Sequence, residues 1–155
     1  MPHSGAEEEA TACWLDDDCI VVGSSAEPME PEELGEADDD ARPLPRGLAV
    51  YDLASRRCLR RFQLAEVPGT ILPIGRHHVL SLYRHPKLIG LATADVLHAW
   101  TELPSGAQVS SIMWGLSEGG KPPPMAFDPA AARFAIAAND RITVIEFDLF
   151  ALGSR

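Results

Sequence analysis

The sequence predicts an all-β protein made of short antiparallel strands, and three observations carry that expectation. Across residues 69–113, turn-forming residues break the apolar pattern about every five to eight positions, which leaves little room for a helix. The aromatic residues Tyr51, Trp100 and Phe147 recur at spacings of 49 and 47 positions, each at the end of an apolar run. Residues 124–148, PMAFDPAAARFAIAANDRITVIEFD, parse into three strands split by an Asp-Pro-Ala turn and an Asn-Asp turn.

A chain of 155 residues is long enough for one domain with a real core, burying about 70% of its unfolded surface. The formal net charge is −10, and residues 24–46 alone contribute eight acids against two arginines. That balance argues against a general nucleic-acid binder, since phosphate contacts need a basic face. The opening MPHSGAEEEA has neither the basic nor the apolar region of a secretory signal, and no apolar run is long enough for a membrane helix. A cytoplasmic protein with no membrane partner is therefore expected. Abundant Ala, Arg, Pro and Gly point to a GC-rich, bacterial genome.

Along the chain, residues 1–10 read as a disordered polar tail. Residues 11–15 and 19–23 are strands around the turn Asp16-Asp17-Asp18, with Trp14, Ile20 and Val22 as core candidates. The three acids lack the alternating oxygens, the mid-loop Gly and the terminal Glu of a calcium loop, so they read as a solvated turn. Cys13 and Cys19 flank that turn. With Cys58 the count is odd and no C-x-x-C occurs, which fits reduced thiols. Residues 24–46, SSAEPMEPEELGEADDDARPLPR, lack aromatics and read as a flexible acidic insertion. Residues 48–53 and 57–64 form a hairpin whose outer strand carries Arg57, Arg60 and Arg61, with Arg56 in the turn. Such charges discourage edge pairing. Strands follow at 69–74, 79–83, 88–93, 96–103 and 108–113.

Four histidines, His77, His78, His85 and His98, fall within about twenty residues and invite a zinc reading. On a strand, the adjacent His77 and His78 would point to opposite faces, so they do not suit one ion. GLSEGGK at 115–121 begins like a phosphate-binding loop. Pro122 then replaces the magnesium-binding Ser or Thr, and the prolines that follow remove the N–H groups phosphates need. Neither a metal nor another cofactor is expected, nor a catalytic constellation.

Aligned on their aromatics, the segments suggest three units of about four strands each, at roughly 11–64, 68–116 and 117–150. A period near 40–50 residues with four strands per unit is the signature of propeller blades. The sequence resembles the WD40-like β-propeller family. Met125-Ala126-Phe127-Asp128-Pro129 is similar to the opening strand and turn of such a blade, residues 133–138 to its second strand and 142–148 to its third. Tyr51-Asp52 and Phe147-Asp148 stand where that family has Trp-Asp, with Trp100-Thr101 as a looser counterpart. The Gly-His dipeptide is absent, so the resemblance is to a divergent member. In the middle unit, residues 88–93 and 96–103 read as third and fourth strands, or else the aromatic alignment holds and the unit has an extra strand.

The resemblance implies a partial β-propeller of about three four-stranded blades, open or completed by a second copy, the last blade lacking its fourth strand. It implies a non-enzymatic protein-interaction module. Residues 24–46 would lie on the partner-binding rim, where Glu30, Glu32, Glu33, Glu36, Asp38, Asp39 and Asp40 would attract a basic protein partner. Two alternatives stand beside it. One is a metal- or sugar-binding propeller enzyme using His77, His78 and Asp95, and the other is an assembly piece that completes a larger propeller.

Overall fold

The computed structural model describes residues 11–24, 46–105 and 123–153. The protein is all-β, with three open antiparallel sheets of four, four and three strands, an architecture consistent with a partial, propeller-like protein. Every sheet is a simple meander, each strand pairing with its neighbour in sequence. The chain divides into two compact units, Met1–Thr70 and Ile71–Arg155.

The first unit holds β1 (Thr11–Trp14), β2 (Cys19–Ser24), β3 (Gly47–Asp52) and β4 (Arg57–Gln63). Because side chains alternate across a strand, the register places Cys13, Val21, Leu48 and Val50 on one face and Trp14, Ile20, Val22, Ala49 and Tyr51 on the other. Val21, Leu48 and Val50 are buried. Trp14 is 58% exposed, so the expectation that it belongs to the core is corrected: the strand alternation puts it on the less covered face. Aspartates close the turns. Asp16 Oδ1 accepts from the N–H groups of Asp18 and Cys19 at 2.9 and 2.8 Å. Asp52 Oδ2 accepts from the Ser55 N–H at 3.1 Å and from the Ser55 hydroxyl. These are local bonds that compete well with extended structure, which is why Asp and Ser sit where a strand must stop. The residues after β4 return to β1: Thr11 Oγ1 donates to the Gly69 carbonyl at 2.7 Å. Gly23 permits that return, since a Cβ there would lie 3.0 Å from Pro68 Cγ.

The second unit begins with β5 (Ile71–Ile74), β6 (His78–Ser81), β7 (Lys87–Gly90) and β8 (Val96–Ala99). It continues with β9 (Met125–Asp128), β10 (Arg133–Ala138), β11 (Arg141–Glu146) and a short helix α1 (Leu149–Gly153). Its core lies between the two sheets. Ile74, Leu80 and Leu88 from the four-stranded sheet meet Phe134, Ile136 and Ile145 from the three-stranded one, with Leu82 just after β6 and Leu103 among them. Burying each such side chain contributes about 1.5–3 kcal/mol, so these seven aliphatic residues and one phenylalanine dominate the unit's stability. Trp100 packs edge-on against Phe147, with centroids 5.9 Å apart.

This arrangement settles the middle sheet. The residues read as third and fourth strands are β7 and β8, and Trp100 follows the fourth strand, with its N–H bonded to the Pro86 carbonyl. The aromatic alignment of Trp100 with Tyr51 and Phe147 is thereby corrected. The better correspondence runs through turns: Leu53-Ala54-Ser55-Arg56 between β3 and β4 matches Leu91-Ala92-Thr93-Ala94 between β7 and β8. Arg56 and Ala94 share a left-handed φ of 56° and 62°. The equivalent stretch after β11 is α1, which the strand pattern had not anticipated. The expected strand at 108–113 lies outside the described residues.

Candidate functional site

Each sheet leaves large apolar side chains in solvent, Trp14 and Leu59 on the first, Val96 and Leu97 on the second, and Ile142 and Val144 on the last, where Ile142 is the most exposed of them. The inward face of the last sheet carries Phe134, Ile136 and Ile145, all buried in the core. The registers Ala126↔Ala135↔Val144 and Ala137↔Ile142 put five apolar residues together on the outward face. There Ile142 is 74% and Val144 56% exposed. Large aliphatic side chains at that exposure, backed by three alanines, make a flat apolar surface of the kind that marks interaction sites.

The edge beside this face is open as well. Asn139 and Asp140, both left-handed at φ 56° and 58°, form the two-residue turn from β10 to β11. A two-residue hairpin makes its flanking pair, Ala138 and Arg141, a hydrogen-bonded one, and such pairs then alternate along an antiparallel ladder. The next are Ile136 with Thr143 and Phe134 with Ile145, and Phe147 N–H reaches Ala132 O at 2.9 Å in step with them. It follows that Ile142, Val144 and Glu146 turn their N–H and C=O groups away from β10. Among the described residues no strand pairs with that side of β11.

The described segment after β11 does not continue the sheet. Asp148 Oδ1 accepts from the N–H groups of Phe150 and Ala151, both at 3.1 Å, as a helix N-cap does. Leu152 N–H then reaches the Asp148 carbonyl at 3.0 Å. At the matching place after β3, Ser55 bonds back to Asp52 and Arg56 takes a left-handed φ, so the chain reverses into β4. Leu-Phe-Ala-Leu offers no such competing side chain, and a turn of helix wins.

The residues singled out from sequence are placed as follows. Glu30, Glu32, Glu33, Glu36, Asp38, Asp39 and Asp40 lie outside the described residues, as does the glycine-rich stretch at 115–121. His77, His78 and Asp95 come to one end of the second sheet. The His77 carbonyl accepts from Leu91 N–H at 2.8 Å, and the Asp95 carbonyl from Gly90 N–H at 3.0 Å. Their side chains have separate engagements. His78 is buried opposite Gly90, and this desolvation, reinforced by His77, holds its pKa below the ordinary value. The Asp95 carboxylate accepts from the Thr93 hydroxyl at 2.7 Å. His98 packs edge-on against Trp100, centroids 4.4 Å apart. Among the described residues, no group of three or more His, Cys, Asp or Glu is arranged to hold a metal ion.

Cys13, Cys19 and Cys58 are free thiols. Cys13 pairs with Val21 across the hairpin, and Cys19 with Asp52 of β3, so neither thiol faces the other directly. Burial pushes the Cys13 thiol up to about 12, and desolvation with nearby Asp16 and Asp52 also raises Cys19, so neither is a ready nucleophile. On the first sheet, Val22, Ala49, Tyr51 and Arg61 border a cavity of about 50 Å³, smaller than the pockets that hold small-molecule ligands. Lys87 is buried with its ammonium satisfied by the Tyr83 carbonyl at 2.7 Å and lying 5.5 Å from the Tyr83 ring. Among the described residues, no helix is long and apolar enough to cross a membrane.

Sequence reasoning missed the outward face of the last sheet. Its signal was present in Arg141-Ile142-Thr143-Val144-Ile145-Glu146, where apolar residues occupy both faces of a strand that should have one solvated side. Comparison with protein-family models returns no match, and comparison with curated proteins returns none.

Proposed function

We propose that this protein is a non-enzymatic protein-interaction module of the divergent WD40-like propeller type, and that it engages partners through the open side of its last sheet. The observation that carries this reading is the outward face of β9–β11, where Ile142 and Val144 stand 74% and 56% exposed beside Ala126, Ala135 and Ala137. Leaving two large aliphatic groups in water forgoes burial worth about 1.5–3 kcal/mol for each of them, an energy a docking partner recovers. The acidic segment 24–46 supports the same reading in a second way. Its charge suits a basic partner, speeding association more than strengthening the final complex.

The test places a photo-crosslinking residue at position 142 in the full chain within cells, with an equivalent at Arg57 on β4 as control. A discrete protein adduct at 142, absent at 57 and lost when Val144 is changed to Lys, is the expected result. Equal labelling at both positions would overturn the reading. Removing residues 25–45 should slow formation of the same adduct without unfolding the protein.

A further inference from the structure

We draw no further inference here: the strongest candidate, the open β11 edge of the last sheet with the exposed Ile142 and Val144 beside it, belongs to the interaction face already proposed, and nothing in the structure shows what covers it.

Discussion

Within the second unit, sheet β5–β8 and sheet β9–β11 share one core but are finished differently. In the first, every residue of β6 and β7 is buried whichever way it points, and β8 covers the edge of β7 while leaving its own Val96 and Leu97 53% and 42% exposed. In the second, Phe134, Ile136 and Ile145 are buried on one side while Ile142 and Val144 stand in solvent on the other, and β11 ends the sheet. Strand chemistry does not explain this, because the apolar content of the two sheets is alike. The cause lies in four residues after the third strand. Leu91-Ala92-Thr93-Ala94 reverses the chain, while Leu149-Phe150-Ala151-Leu152 turns it into a helix capped by Asp148. Local turn chemistry at the exit of the third strand thus decides whether the next residues reverse into a strand or enter a helix.

The comparison breaks most severely if the shared core is emptied. Phe134→Ala removes a side chain that is 1% exposed at the junction of the two sheets, and the cost is expected at about 3–5 kcal/mol in denaturant unfolding. Loss below about 1 kcal/mol would mean the sheets do not depend on each other. Next in size is the cap that diverts the chain: Asp148→Ala should cost about 1 kcal/mol. That loss should be confined to α1 and leave the β-sheet circular dichroism signal unchanged.

Acid sharpens the comparison from another side. Burial holds His78 below its ordinary 6.5, so the folded sheet resists its protonation. The unfolded chain binds that proton first, and stability falls as pH drops through about 6.5 toward the folded value. Hydrogen bonds from Ser55 hold Asp52 low, and bonds from Ala131 and Arg133 hold Asp128 low. Those carboxylates contribute stability above their unfolded range and lose it as pH falls through their folded values, so all three groups act in the same direction. Replacing His78 by Gln should shrink the drop in denaturation midpoint between about pH 7.5 and 5.5. An unchanged drop would assign the acid sensitivity elsewhere. The smallest expected effect is Ile142→Thr, within about 0.5 kcal/mol for the isolated chain, since the side chain it replaces is mostly in water.

Much of this fold was legible in the sequence, for physical reasons that also explain what was not. The strands of the last sheet stood out because Asp128-Pro129 and Asn139-Asp140 are strong turn signals at hairpin spacing, and the Asn-Asp pair is indeed left-handed at both residues. The middle sheet was harder, because β5 to β8 are four residues each and β6 and β7 are buried on both faces, so no period-two pattern marks them. Trp100 misled because an aromatic after an apolar strand has the same appearance whether that strand is third or fourth in its sheet. The exposed apolar face of the last sheet was invisible to composition. Alternation in 141–146 tells which residues share a side, but only the pairing shows that Ile142 and Val144 lie on the uncovered one. Charge had drawn attention to residues 24–46 instead, since an acidic run is conspicuous in a sequence and a missing strand is not.

The central claim is that no described residue of the chain pairs with the outward side of β11. Residue-resolved amide hydrogen exchange on dilute Ile142→Lys protein tests it directly, by comparing Val144 with its neighbours Thr143 and Ile145. Thr143 and Ile145 should exchange slowly and Val144 fast, an alternation that only an open edge produces. Protection of Val144 equal to that of Ile145 in this variant would mean that the chain covers its own edge, and the account would be wrong.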